Sequence, residues 1–390
     1  MVQMRRLLGS VDGVLSLGQG AVFWAPPAEA IAEAAAHAHE PLYSQYGADE
    51  GISELRAALE RKIKDVNKLE GYKVMVTAGA NQALVSLMLT LLDPSDRAVL
   101  FRPYYFNTLM AIQMTGGGAS VVLGPSDPET WHPDLDWLEE ELKGPRPPKL
   151  VYVVSPCNPT GVTVPRAKLE RLAELTGAAG AWLLLDNTYE AFRYSGEAHF
   201  CPSAPNVIHL FSFSKAHGAM GWRVGYIAYA DTDNSDFLGL QLVKVQDTIP
   251  IHAAHMSQQV ALRALRAGPE WLGGRISQLR QNREAALAAL APLGSMGKGI
   301  WGGDAIYLWA RLPPGCDDDR AVVAWLVHVH KVAVIPGSAC GTEGHIRVAF
   351  GQPAPDEFRE AAGRLGSALR QLTAEGFAAV QAWRDRGQGV

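Results

Sequence analysis

Four runs of residues decide most of what this chain can fold into. KLVYVVSP (149–156), AWLLLD (181–186), VIHLFSF (207–213) and RVGYIAYA (223–230) are nearly unbroken in aliphatic and aromatic side chains. A strand wetted on one face alternates apolar with polar residues, whereas a strand buried on both faces does not. Such runs predict a sheet covered on both sides. KVMV (73–76), RAVLF (97–101) and SVVLG (120–124) extend the series. Segments with helical spacing lie between them: GISELRAALERKI (51–63), NQALVSLMLTLL (81–92) and PRAKLERLAELTGAA (165–179), the last with proline in its first turn. Strands alternating with helices from about residue 50 to 230 predict an α/β domain with helices on both sheet faces.

The remainder reads differently. Residues 253–292 have the pattern of long helices, and AIYLWARL (305–312), VAVIPG (332–337) and HIRVAFG (345–351) read as strands. RAVVAWLVHVH and PDEFREAAGRLGSALRQLTAEG supply helices, so a smaller α+β domain is expected from about residue 295 onward. With 390 residues, 48% of them hydrophobic and 19% charged, the chain has a soluble globular composition and room for both domains. Its formal net charge of -5 comes without any block of Lys or Arg, Arg5-Arg6 being too short, which argues against nucleic acid or an anionic membrane as partner. The longest apolar stretch, VMVTAGANQALVSLMLTLL, is interrupted by Asn81 and Gln82, so no membrane span is expected. Four scattered cysteines without CxxC spacing read as reduced thiols. The N-terminus lacks a signal-peptide core, and a cytoplasmic location follows as the expectation.

Chemistry concentrates at the strand ends. SFSKAHGAMGWRVG (212–225) follows a buried run and holds Lys215, with Ser212 and Ser214 before it and Arg223 eight residues on. Most lysines are plain surface residues. This one stands where α/β sheets place ligands, beside the hydroxyls and guanidinium that suit a phosphate dianion. An amine next to a phosphate site fits covalent capture of a phosphorylated aldehyde, namely pyridoxal phosphate. That cofactor needs a carboxylate at its pyridine nitrogen, and AWLLLD ends in Asp186; the bland alternative there is a helix cap. Tyr189 follows three residues later, and Asn158 stands in SPCNPTG; both can reach the ring's phenolic oxygen, although an Asn-Pro-Thr-Gly run is by itself only a turn. TAGANQAL puts Gly79, Ala80 and Asn81 between a strand and a helix, where backbone amides can hold an anion.

Together these motifs resemble fold-type I, class I aminotransferases: NPTG, then DxxY 28 residues later, then SxSK with an arginine eight residues on, then a late arginine in a strand. The resemblance runs from about residue 14 to 375. LGQGAVFWAPP, SQYGADEGISELR, PYYFN and GGDAIYLWA are similar to the aromatic branch found in plants and algae, which uses methionine and aromatic 2-oxo acids. It implies a large domain (46–290) with a mostly parallel seven-stranded sheet, a small domain (291–390), and an N-terminal arm (1–45) partly joined to the latter. It implies pyridoxal phosphate on Lys215 and a homodimer with shared active sites. It further implies that Tyr105 stacks on the cofactor and that Tyr46 reaches the partner subunit's phosphate. Arg347 would fork onto the substrate carboxylate, with Gly20 beside it.

For side-chain preference, the resemblance implies that dicarboxylate-specific relatives use a second arginine from the partner subunit, and the segment that would supply it here, VKVQDTIPIHAAH, has none. Ile249, Pro250 and Ile251, with Phe23, Trp24 and Tyr105, make an apolar pocket the expectation, because an unpaired carboxylate is costly to bury. A kynurenine or glutamine/phenylpyruvate-type aminotransferase stays open, as does a C–S lyase or cyclopropane-forming synthase using the same lysine and aspartate. A ligand sensor of this fold would carry a DNA-binding domain, and none is expected here, with Lys215, Asp186 and Arg347 all intact. GKGIWG (297–302) is expected to be a loop, since it does not join a strand to a helix. His252 with His255, and His328 with His330, lack carboxylate or cysteine partners, and no metal is expected.

Overall fold

A computed structural model describes residues 11–115, 121–196, 198–230 and 235–388; Arg5-Arg6 and Ser120 lie outside them. The chain opens with a two-residue strand, β1 (Leu15–Ser16), and then builds the larger sheet from β2 (Tyr72–Thr77), β3 (Ala98–Phe101), β4 (Val121–Gly124), β5 (Leu150–Val154), β6 (Trp182–Asp186), β7 (Val207–Ser212) and β8 (Gly225–Ala230). Their order is β2-β8-β7-β6-β5-β3-β4. All run parallel except β8, which is antiparallel to both of its neighbours. The reason is the short link after β7. A parallel return needs a crossover of a dozen or more residues, usually a helix. Residues 213–224 instead form a tight turn, so Lys215 and Arg223 emerge at the same end of the sheet.

The unbroken apolar runs serve two cores. In β6, Leu183 and Leu185 pack with Leu138, Leu169 and Leu172 from helices Leu135–Lys143 and Arg166–Ala178. Leu184 faces the other way, into a cluster with Leu84, Leu87 and Ile112 from helices Ala80–Leu91 and Phe106–Thr115. The period-2 alternation of a strand thus becomes apolar-apolar, because both faces are dry.

The smaller sheet contains β9 (Ser295–Met296), β10 (Gly299–Trp301), β11 (Tyr307–Arg311), β13 (Ile335–Pro336) and β14 (His345–Ala349), in the order β13-β14-β11-β10-β9. Helices Asp319–His330 and Pro355–Glu375 pack on it through Trp325, Phe358 and Leu365. Leu279, Ala286 and Leu290 of helix Gly268–Leu290 enter the same core. Three expectations are corrected. VAVIPG is two strands, because Val332–Ala333 (β12) pairs with β1 while Ile335–Pro336 pairs with β14. GKGIWG is a tight turn running into strand β10. The strand read from Arg223 begins only at Gly225, since Arg223 has a left-handed φ of 54°. Among the described residues no helix is long and apolar enough to cross a membrane.

Candidate active site

The turn after β7 places an amine and a guanidinium together. Lys215 donates to the Gly20 carbonyl and sits in a partly closed hollow. Burial, followed by the nearby cations Arg223 and Arg347, pulls its pKa down to about 8. Arg223 donates to the Met220 carbonyl at 2.8 Å. Its guanidinium lies against Gly79, where any Cβ would collide with it. Gly79 has φ 83° and precedes helix Ala80–Leu91, whose start no side chain among the described residues caps. Here glycine is required twice, for the backbone angle and for the close approach. A helix N-terminus, a guanidinium and the hydroxyls of Ser212 and Ser214 thus converge as an anion cradle.

The next strand along supplies an acid. Asp186 ends β6 and is buried; its Oδ2 accepts from the Tyr152 hydroxyl at 2.7 Å and its Oδ1 from the Thr188 amide at 2.9 Å. Burial raises its pKa, and those hydrogen bonds only partly offset this. Behind it, Asn187 is held by His199 at 3.0 Å and by His209 at 3.2 Å, which fixes the strand end.

Arg347 lies on β14 between β11 and β13, paired in register with Trp309 and Ile335. Strands on both sides leave it 3% exposed. One nitrogen donates to Asn158 Oδ1 at 2.7 Å and another to the Gly18 carbonyl at 2.6 Å. Nε is buried without a partner among the described residues. Its guanidinium lies 4.5 Å above the Tyr307 ring.

A cavity of about 390 Å³ joins these groups, within the range of small-molecule sites. Lys215, Arg223, Ser212 and Ser214 line it, with Ala80 and Asn81 from the helix start. Asp186, Tyr189, Asn158, Arg347, Tyr105 and Gly20 complete the wall. Tyr105 accepts from Asn107 at 2.8 Å and also hydrogen-bonds Asn81. Gly79 stands behind this surface as support. Tyr46 is 80% exposed, beside the His252 ring, and does not meet the cavity of its own chain. Trp24 corrects the expectation of a pocket wall: it is 6% exposed, stacks on Phe192 and donates to the Ala216 carbonyl, so it braces the lysine turn from behind. An indole buries a large area and needs a partner for one N–H, and this position satisfies both. Phe23 stacks edge-on against Trp24 and likewise stays off the wall.

Two tyrosines of the site were not read from the sequence. Tyr152 orients Asp186, and Tyr307 meets both Tyr189 and Arg347. Each sits in an apolar run and resembles core. The available signal is that a buried phenol needs a hydrogen-bond partner. Gln19 and Thr188 also reach the cavity.

The donor set suits pyridoxal phosphate. An anion cradle, a buried acid without a cation partner among the described residues and an amine of depressed pKa line one hollow, and an unpaired Arg347 nitrogen stands nearby. Fold and cavity together define an aminotransferase of the pyridoxal-phosphate type. The chain belongs to the family of class I and II aminotransferases, whose model matches residues 12–365. It is 47% identical over 379 residues to the aromatic aminotransferase ISS1 of Arabidopsis thaliana, covering 97% of this chain and 95% of that one. It is 30% identical to an aspartate/prephenate aminotransferase of Thermus thermophilus, over 83% of each chain. Among solved structures, a multiple substrate aminotransferase from Thermococcus profundus superposes with a TM-score of 0.83 at 26% identity, covering 96% of both chains.

Proposed function

We propose that this aminotransferase moves the α-amino group between methionine or an aromatic amino acid and a 2-oxo acid, in two half-reactions. The observation that carries this is the cavity's set of cations. Arg223 belongs to the anion cradle and Lys215 to the covalent chemistry, so among the described residues Arg347 is the one lining cation left for a carboxylate. A second, side-chain carboxylate finds no partner of this kind, while Tyr105, Phe106 and Tyr307 offer aromatic surface. The 47% identity to a protein named an aromatic aminotransferase supports the same reading.

In this reading the residues divide the work. Arg347 binds the substrate carboxylate as a planar fork, held in orientation by Asn158 and the Gly18 carbonyl. Asn158 accepts from Arg347 through Oδ1, which leaves its Nδ2 protons to donate into the cavity. Asp186, with its plane fixed by Tyr152 and Thr188, would hold the proton on the cofactor's pyridine nitrogen. Lys215 Nζ takes the α-proton and returns it on the other side of the transfer. Pyridoxal phosphate, when bound, supplies the ring that receives the electron pair left behind. Arg223, Ser212, Ser214 and the amides after Gly79 would hold its phosphate. Tyr46 is exposed at a position that the family places against a second subunit, and Ile249 is also largely exposed, so we read the working form as a homodimer with Tyr46 completing the partner's cradle.

Mixing the holoprotein with single amino acids and following loss of its visible absorbance tests the substrate class. Methionine, phenylalanine, tyrosine and tryptophan are expected to bleach it at least tenfold faster than aspartate. Aspartate as the fastest donor overturns the pocket argument, and release of ammonia without a 2-oxo acid acceptor favours a lyase. The same preparation is expected to sediment as two chains; full activity in a single chain removes the pairing.

A further inference from the structure

We infer that Asp304 is a positioning residue that sets the distance between the carboxylate anchor Arg347 and the groups that move the α-proton; this rests on the reading of Arg347 given above. Arg347 and Tyr307 belong to the smaller sheet, whereas Asn158, Asp186, Tyr189 and Lys215 lie at strand ends of the larger one. An amino acid must be held by both sets at once. The seating of one sheet on the other therefore decides whether its α-carbon meets Lys215. Asp304 stands at this joint, just before Tyr307 in sequence and outside the cavity wall.

A loop aspartate is ordinarily exposed. Asp304 is 2% exposed, and both of its oxygens are engaged. Oδ1 accepts from the Tyr194 amide at 2.6 Å and from the Ser195 amide at 3.0 Å. Oδ2 accepts from the Thr163 hydroxyl at 2.5 Å and from the Ser195 hydroxyl at 3.0 Å. Thr163 follows the turn that holds Asn158, and Tyr194 and Ser195 follow Tyr189. The backbone makes the same link. The Asp304 amide donates to the Gly161 carbonyl at 2.8 Å, and the Ala305 amide to the Phe192 carbonyl at 2.8 Å. Gly161 has φ 67° and passes so close to the Tyr307 carbonyl that a Cβ would collide with it. One buried carboxylate thus gathers the three segments that carry Asn158, Tyr189 and Tyr307. Hydrogen bonds to a carboxylate are roughly twice as strong as neutral ones, so this cluster makes a stiff joint.

Asp304→Ala removes the acceptor and leaves every lining side chain in place. The first half-reaction with phenylalanine, followed as bleaching of the holoprotein's visible absorbance, is taken per bound cofactor and well below the melting temperature. Loss of folded protein alone then does not register. The rate is expected to fall roughly 10- to 100-fold. Asp304→Asn is expected to recover it to within about threefold, because Oδ1 still accepts from both amides and Nδ2 can donate to the two hydroxyl oxygens. In an Arg347→Ala background, Asp304→Ala is expected to slow the reaction by no more than about twofold further, since the anchor it positions is gone. Thr163→Val removes one donor at nearly constant shape and serves where Asp304→Ala does not fold; its rate is expected to fall about three- to tenfold. A lowered melting temperature with a wild-type rate per bound cofactor, in Asp304→Ala or in Thr163→Val where only that variant folds, overturns the inference, as do fully additive losses with Arg347→Ala. If Arg347→Ala alone leaves the rate unchanged, the Arg347 reading falls and this inference falls with it, whatever Asp304→Ala shows.

Discussion

Lys215→Ala is expected to lose the visible absorbance of the bound cofactor and to slow turnover by about 10⁴-fold or more. Two functions vanish together: the covalent attachment and the base that moves the α-proton, the latter alone giving on the order of 10²–10⁴. The environment of Lys215 is built for this. With its pKa drawn down to about 8 by burial and by Arg223 and Arg347, roughly one molecule in ten carries a neutral amine at pH 7. An ordinary lysine would offer fewer than about one in a thousand. Capture of pyridoxal phosphate by the apoprotein is therefore expected to speed up about tenfold per pH unit below 8 and to level off above it. The sign of the linkage is the reverse for folding. A lysine whose folded pKa lies below its unfolded value disfavours the folded state at neutral pH, and that cost fades as pH rises through the folded value of about 8 and is gone above the unfolded one. The alanine variant should thus melt no earlier than the wild-type apoprotein near pH 7, which separates lost chemistry from lost structure. Retained absorbance with retained turnover would take Lys215 out of the mechanism.

Arg347→Ala is expected to lower kcat/KM by about 10²–10³ for every α-amino acid. The guanidinium is almost fully buried, and truncation strands the Asn158 oxygen and the Gly18 carbonyl that accept from it. It also uncovers the face of Tyr307. The loss should fall mainly on KM, because the carboxylate is held in ground and transition states alike. Lysine at this position is expected to restore little, since an ammonium cannot reproduce a planar fork. A KM within about threefold of wild type would place the carboxylate elsewhere.

The residues legible in the sequence are those at strand ends. Asp186, Asn158, Ser212 and Lys215 follow buried runs directly, and a parallel sheet delivers such ends to one edge. Arg223 was legible as a cation but not as a left-handed residue, because φ depends on the turn closing between β7 and β8. Tyr152 and Tyr307 were hidden inside apolar runs, where a phenol looks like core until its partner is known. Trp24 misled for the opposite reason. It lies four residues from Gly20 in sequence, yet an indole finds more buried surface against Phe192 than in a wet cavity. The break at Val334 was invisible because β12 and β13 belong to one unbroken apolar run but have different partners, β1 and β14.

Borohydride reduction of the holoprotein, followed by peptide mass mapping, asks most directly where the chemistry resides. The expected result is one phosphopyridoxyl group per chain, on the peptide that contains Lys215. The same mass on a different lysine, or no added mass in a protein that still transaminates, would contradict the assignment.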